Sequence, residues 1–349
     1  MFFSKDCCLV FFWKNKNVLS FLALNLSVES LGFNGLFELV LPVLLLVLGM
    51  IILTFSSNKT VDHSVVLACN WRIPPIVIGL VLVSIGTDFP EIMNSVLSSS
   101  LDHGNINVGD SIGSAFVQLT LVLGLIALSL REFKVNRKEV FVIGVSTLLA
   151  IFLSFFLISD SYISRLDGLF LISGWVLFVL IIRRIAKSDF SCPPRRSNQG
   201  LGIGYDVLLV VLGFVGVAIG TFLVIESILE ITRIFNVSEF IASFFIASIG
   251  TSLPELIVTI SAIRKGQEEL AIGDIMGSSL LDASISVGIG PFLFPTLIDG
   301  GPSIVTWVYL MVTIIIVTLL MAIRGKVDKK VGFVCLVLYF VSYSLFYLS

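Results

Sequence analysis

The sequence contains the same acidic motif twice, each time inside a long apolar stretch. SIGTDFPE occupies residues 84–91, and SIGTSLPE occupies residues 248–255. The same offset aligns GDSIGS at 109–114 with GDIMGS at 273–278, and between residues 84 and 124 it gives 11 identities in 41 positions. All of these identities except the one at Ile85 fall at Gly, Pro, Thr, Ser and acidic positions, which unrelated apolar helices would not share. The chain is therefore interpreted as an internal duplication.

Apolar residues are abundant enough to place the chain in a membrane. They make up 56% of the 349 residues and charged residues only 13%, against roughly 25% charged in soluble proteins. Several runs exceed the ~18 apolar residues that mark a spanning helix. We therefore predict an all-α polytopic membrane protein in a lipid bilayer, with no nucleic-acid partner. Five scattered cysteines and two histidines make a disulfide framework or a transition-metal site improbable, and we expect no cofactor.

Ten transmembrane helices are predicted, at 37–55, 74–99, 107–130, 140–158, 167–183, 205–226, 238–263, 270–294, 303–323 and 331–348. Alternate loops carry 17 basic residues on one side and two on the other, with three more in the leader. The positive-inside rule places the basic loops, including those with Lys59 and Arg72, in the cytoplasm and both termini outside.

The two motif copies lie on spans 2 and 7, which run in opposite directions through the membrane. We therefore predict two inverted-topology five-helix repeats with broken helices 2 and 7. The first repeat covers 36–187 and the second 203–349. A cytoplasmic linker at 188–202 joins them, and an interfacial or disordered leader at 1–35 precedes them.

Each motif is expected to break its helix. Pro90 and Pro254 remove a backbone donor and clash with the preceding turn, and a glycine four residues earlier loosens that turn. Carbonyl groups freed inside a membrane persist only where they face a cavity or an ion. A plain proline kink would explain one copy alone, but two copies, each followed directly by a glutamate, favour a binding site.

Glu91 and Glu255 begin the second half-helices. A charged side chain at membrane depth costs a few kcal/mol or more, so it is expected to line a cavity, find a partner or bind an ion. With the freed carbonyls of Thr87 and Thr251, the two glutamates predict an all-oxygen site for a hard cation. Calcium takes about six to eight such oxygens, and it fits better than magnesium, which demands tighter geometry.

Polar residues recur every four positions along spans 3 and 8 and are expected to form the walls of this site: Asp110, Ser114 and Gln118, then Asp274, Ser278 and Asp282. Asp282 lies deepest and is predicted to be a ligand. Asp110 and Asp274 lie near span ends, where capping or an access funnel explains them as well as ligation does, and Asn94 lies on the polar face that Glu91 begins. Glycines at 109, 113, 273 and 277 have the spacing that lets helices approach closely.

The paired Gly-Thr-Ser-Leu-Pro-Glu and Gly-Asn/Asp-x-x-Gly-Ser motifs resemble the two alpha-repeats of the cation/calcium exchanger superfamily, most closely its prokaryotic sodium/calcium exchanger branch. The resemblance covers residues 37 to 348 approximately. It implies a secondary antiporter rather than an enzyme, which exchanges one calcium ion for several sodium ions by alternating access. We expect a monomer in an inner or plasma membrane, with an organelle membrane left open.

Carried over to this sequence, the resemblance implies that Glu91 and Glu255 are the carboxylates shared by the transported ions. It implies further that calcium and sodium contact residues from both repeats, namely Thr87, Thr251, Ser252, Ser114, Ser278, Asp282 and Gln118.

Two positions depart from the family pattern. Asp88 stands where the family usually has serine, and Gln118 stands where it commonly has asparagine. Asp88 places an additional carboxylate close to those of Glu91 and Glu255, and three such groups in a low dielectric cannot all stay ionised. Asp88 is therefore interpreted as an extra ligand or as a proton site. In the second case a proton could replace one of the transported sodium ions. Calcium/proton exchange is therefore an open alternative, as is an Asp88 side chain that points away from the cavity. An intramembrane aspartyl protease is disfavoured, because Asp110 and Asp274 fail its Gly-x-Gly-Asp pattern, whereas a passive channel is harder to exclude.

Overall fold

A computed structural model describes residues 34–100, 102, 104–186, 203–234, 248–298 and 304–348. The predicted linker at 188–202 and the predicted leader, except its last two residues, lie outside these ranges. The helices are α1 Asn34–Trp71, α2 Pro75–Thr87, α3 Phe89–Ser100, α4 at 104–129, α5 Arg137–Ile158, α6 Arg165–Ile185, α7 Ile203–Ile234, α8 Ser248–Thr251, α9 Leu253–Arg264, α10 Glu268–Leu293, α11 Ile304–Arg324 and α12 Lys329–Leu348.

Seven of the described helices are long and apolar enough to cross a membrane, or eight if the bent pair α2 and α3 counts as one span. Part of predicted span 7 lies in the undescribed residues 235–247. The outward faces carry large exposed apolar side chains, such as Phe55, Phe152, Phe170 and Ile304, whereas every residue of α10 from Leu270 to Leu281 is buried. Apolar faces turned outward around a buried centre that holds polar groups suit a bilayer. The prediction of a polytopic helical membrane protein is confirmed.

Helix α1 is longer than the predicted first span. Its 38 residues extend about 57 Å at ~1.5 Å per residue, well beyond the ~30 Å hydrocarbon core. Residues around Lys59, which we expected in a loop, continue the helix because neither glycine nor proline interrupts them. The helix ends where Arg72 adopts a positive φ of 52° and Pro74 and Pro75 follow.

The predicted helix breaks are present at equivalent positions. Helix α2 ends at Thr87 and α3 begins at Phe89, with a bend of 53° between them. Asp88 at this break has φ −81° and ψ 8°. Helix α8 ends at Thr251 and α9 begins at Leu253, and Ser252 between them has φ −84° and ψ 4°. Asp88 and Ser252, which occupy the same place in the two motif copies, thus share one backbone conformation.

Helices α4 and α10 each contain one π-helical turn. These turns cover Gln118–Val122 and Asp282–Ser286, so they too occupy equivalent places in the two copies. A π-helical turn is rare, interrupts the regular ladder and often occurs at functional sites. No feature of the sequence predicted these turns.

Four two-residue strands join loops from the two halves of the chain. Strand β1 (Phe133–Lys134) pairs with β4 (Lys326–Val327), and β2 (Tyr162–Ile163) pairs with β3 (Thr296–Leu297), both antiparallel. The all-α prediction missed these strands. Each pair connects two loops that the charge pattern assigned to the same side of the membrane, in agreement with that alternation.

The glycines of the second motif bring α10 into backbone contact with α2. A side chain on Gly273 would collide with the carbonyl of Ile76, and one on Gly277 would collide with the backbone of Leu80. The predicted close approach is therefore present here. At Gly109 an added Cβ would meet nothing within 4 Å among the described residues, and residue 240, the equivalent of Ile76, lies outside them.

The close packing at Gly273 predicts that an added methyl group is costly there but not at a helix glycine with more room around it. We expect Gly273→Ala to lower the thermal stability of the detergent-purified protein, because overpacking typically costs about 1–3 kcal/mol. Gly174→Ala is the control, because an added Cβ there would make only ordinary contact with Leu153, at 3.7 Å, and this variant should melt like the unmodified protein. Equal melting temperatures for the two variants would contradict the α2–α10 packing.

Candidate functional site

Both helix breaks bring acidic and hydroxyl side chains into the centre of the molecule. Thr87, Asp88 and Glu91 come from the first break, and Ser252 and Glu255 come from the second. All five residues are at most 1% exposed. The structure therefore brings these predicted site residues of the two motif copies into one buried region.

The acidic side chains in this region are close neighbours. Asp88 interacts electrostatically with Asp282, Glu255 and Glu91, and Glu91 does so with Asp110 as well. Like charges held together in a low dielectric repel strongly. This arrangement can attract cations.

Six carboxylate oxygens, those of Asp88, Glu91 and Glu255, are buried and have no hydrogen-bond partner among the described residues. The hydroxyls of Ser252 and Ser278 are also buried without one. Because buried polar atoms are nearly always paired and an uncompensated buried charge is costly, these oxygens are available to a cation; Oδ1 of Asp274 is buried without a partner as well.

Gln118 and Asp282 form a direct contact between α4 and α10. The Gln118 amide Nε2 donates to Asp282 Oδ2 over 3.0 Å, and Gln118 Oε1 accepts from the Ser279 hydroxyl over 3.1 Å. Ser286 donates to the other Asp282 oxygen over 2.8 Å. Gln118 and Asp282 occupy equivalent positions, the first residues of the two π-helical turns. The two halves of the chain therefore meet through this pair.

Hydroxyl side chains of the site come from the ends of the half-helices, at Thr87 and Thr251, and from within α4, at Ser114. Ser114 on α4 and Thr251 on α8 lie 3.3 Å apart, measured between their hydroxyl oxygens. The Thr87 hydroxyl donates to backbone carbonyls of its own helix, at Val83 and Ser84. Ser114 and Thr251 thus connect α4 with the second break, next to the carboxylates.

Asp110 and Asp274 are each held by a neighbour on the adjacent half-helix. Asn94 donates to Asp110 over 2.5 Å, and Thr259 donates to Asp274 over 2.8 Å. The two aspartates are equivalent but differ in exposure, since Asp274 is fully buried and Asp110 is half-buried. Asp110 therefore lies nearer the outside than Asp274 does, as an access position would.

Two polar residues that the sequence did not single out as site residues position α10. Ser95 accepts a hydrogen bond from the backbone nitrogen of Gly290 over 3.0 Å, and Asn107 donates to the carbonyl of Val287 over 3.1 Å. Both bind the segment that follows the π-helical turn. Ser95 was visible on the polar face of α3, but its partner could not be read from one chain segment.

In the described part of the chain, no three acidic, histidine or cysteine side chains have the geometry of a metal site. The carboxylates lie near one another without closing into a cage.

Comparisons with known proteins match both halves of the chain to the same protein family. The family model described as sodium/calcium exchanger protein matches residues 41–183 and 205–348. The inner membrane protein YrbG of Escherichia coli (strain K12) is 30% identical over 275 residues, which cover 75% of this chain and 82% of the relative. The sodium/calcium exchanger MaX1 of Methanosarcina acetivorans is 25% identical over 345 residues, which cover 87% of this chain and 98% of that relative. A solved structure of the sodium-calcium exchanger NCX_Mj matches with a TM-score of 0.73 at 25% identity, over 87% of this chain and 98% of that one.

Proposed function

We propose, since this chain belongs to the sodium/calcium exchanger protein family, that it exchanges calcium for sodium across its membrane by alternating access. Its family consists of cation exchangers, and the chain is an integral multi-pass membrane protein. The observation that carries the proposal is the set of six unpaired, buried carboxylate oxygens at the two helix breaks.

In this proposal Glu91 and Glu255, one from each repeat, bind calcium or sodium in turn. Neutral oxygens complete the ligand set, and they come from residues at the breaks and on α4 and α10: Thr87, Thr251, Ser252, Ser114 and Ser278. Hard cations prefer such carboxylate, carbonyl and hydroxyl oxygens. Sodium and calcium compete for the same carboxylates, which couples their movements.

We further propose that ten helices form two inverted repeats, at 36–187 and 203–349. The support is that the helix breaks, and the π-helical turns of α4 and α10, recur at the same offset as the sequence motifs. Sites at the meeting of such repeats are typical of secondary transporters. The proposed orientation, from the basic loops, has both termini outside the cytoplasm, and the proposed unit is a monomer.

The experiment that tests this function is calcium uptake into liposomes that contain the purified protein. The vesicles are loaded with sodium and diluted into sodium-free buffer with radioactive calcium, and an ionophore collapses any pH gradient. We expect uptake that requires internal sodium. Uptake without any internal exchange ion would contradict antiport.

Calcium/proton antiport is the second candidate, and Asp88 is the observation that favours it. Its carboxylate is fully buried among other acidic groups. The equivalent residue of the second repeat, Ser252, carries no charge. In the same vesicles, uptake that ignores sodium but follows an imposed pH gradient would select this candidate and reject sodium exchange.

A further inference from the structure

We infer that Asp88 is a third ion-binding carboxylate, which sets the preference for calcium over sodium, and that Asp282 is a positioning residue bridged to Gln118. This inference rests on the proposed function and assigns roles within the same site. The basis is a difference in hydrogen bonding: the Asp282 oxygens accept hydrogen bonds from the protein, whereas the Asp88 oxygens do not.

The first step is the equivalence of Asp88 and Ser252. Both residues occupy the single position between two half-helices, with φ and ψ that agree within a few degrees. Both side chains are buried, and neither accepts a hydrogen bond from an N–H or hydroxyl donor of the described residues; the Asp88 carboxyl group lies next to that of Glu255. Asp88 therefore offers two carboxylate oxygens from the first repeat where Ser252 offers one hydroxyl from the second.

The second step is the contrast between Asp88 and Asp282. Both Asp282 oxygens accept hydrogen bonds, one from Gln118 at 3.0 Å and the other from Ser286 at 2.8 Å. Neither oxygen of Asp88 accepts one within the described chain. A buried carboxylate without donors is stabilised by a cation far more than one whose oxygens are already compensated.

The third step concerns what the Gln118–Asp282 bridge does. It joins the first residues of the two π-helical turns, and Ser279 fixes the Gln118 amide from the other side at 3.1 Å. The bridge thus holds α4 against α10 where the two repeats meet. Asparagine at 282 would preserve it, since its oxygen can accept from Gln118 and its amide can donate to Ser286.

Charge explains why Asp88 affects calcium more than sodium. Coulomb attraction to a carboxylate is proportional to the charge of the ion, so an added carboxylate strengthens calcium binding about twice as much as sodium binding, before desolvation. Removing Asp88 should therefore weaken calcium binding and let less sodium displace calcium. A purely structural role would not shift this competition.

The test is equilibrium binding of radioactive calcium to the purified full-length protein in lipid nanodiscs, with sodium as competitor. We expect Asp88→Ser and Asp88→Asn to weaken calcium binding at least about tenfold, because ligand charge tunes calcium affinity. Half-displacement of calcium should then need less sodium. Asp88→Ser is the matched variant, because serine already occupies the same backbone conformation at 252.

We expect the calcium affinity of Asp282→Asn to lie within about threefold of that of the unmodified protein. Asp282→Ala should bind calcium more weakly, because it removes the bridge to Gln118, and residues that hold ligands in place contribute to metal affinity. Unchanged binding in both Asp88 variants, or a loss in Asp282→Asn as large as in Asp88→Ser, would overturn the inference. Failure of the proposed function looks different: the unmodified protein would bind no calcium, or its binding would survive Glu255→Gln.

Discussion

Glu255→Gln is expected to abolish sodium-driven calcium uptake, and Glu91→Gln is expected to do the same. Each glutamate is fully buried, and neither of its carboxylate oxygens has a protein donor among the described residues. Glutamine keeps the shape and removes the charge that both transported ions need. Because a charge-assisted interaction contributes up to about 3 kcal/mol, uptake should fall by about a hundredfold.

The control applies the same substitution to an exposed glutamate. Glu132 lies outside the helices and pairs with Lys326 at 2.6 Å on the surface. Because exposed ion pairs contribute little, about 0–1 kcal/mol, Glu132→Gln should transport like the unmodified protein. Uptake that persists in both Glu91→Gln and Glu255→Gln, with normal expression, would show that the ions bind elsewhere.

Linking α1 covalently to α9 is expected to stop exchange reversibly. The side chains of Asn58 on α1 and Ser261 on α9 meet at 2.9 Å. Next to them, Lys265 pairs with Asp62 at 2.8 Å and donates to the carbonyl of Asn58 at 2.6 Å. Alternating access requires one group of helices to move against another, and we expect this contact to open during transport.

Helix α1 moves with α7 in this scheme, because the two pack closely along one face: a side chain on Gly220 of α7 would collide with the backbone of Leu53. Side chains added to Gly213 and Gly216 of α7 would collide with Thr60 and Ser56 of α1. A link at Asn58 would therefore tie the α1–α7 pair to the helices that carry the site.

The experiment introduces cysteines at 58 and 261 in a background without the five native cysteines. A short reagent that forms a disulfide with each cysteine should abolish calcium uptake, and a reductant should restore it. Each single-cysteine variant, treated identically, should keep transporting. A protease site placed within 188–202 verifies the link, because linked halves stay together after cleavage. Continued uptake by fully linked protein would contradict movement at this contact.

Local chemistry explains what could be predicted from the sequence. The breaks at Asp88 and Ser252 follow from Pro90 and Pro254, whose backbone restrictions do not depend on distant contacts. The repeat offset predicted that Glu91 and Glu255 have equivalent surroundings, and both are buried beside their breaks. The close approach at Gly273 also follows from residue size.

Contacts between distant segments could not be predicted in the same way. The Gln118–Asp282 bridge joins residues from the two halves of the chain, and nothing in either segment reveals the partner of the other. The extension of α1 to Trp71 was missed because charged residues such as Lys59 were interpreted as a loop, although charge does not end a helix. Gly109 shares its motif with Gly273, yet its packing depends on what faces it.

Crystals soaked in strontium, which substitutes for calcium and scatters anomalously, give the most direct test of where the ions bind. We predict an anomalous peak between the carboxylates of Glu91 and Glu255, which disappears when the same crystals are soaked in strontium with excess sodium. A strontium peak remote from both glutamates, or one that sodium does not displace, would contradict exchange of the two ions through one shared site.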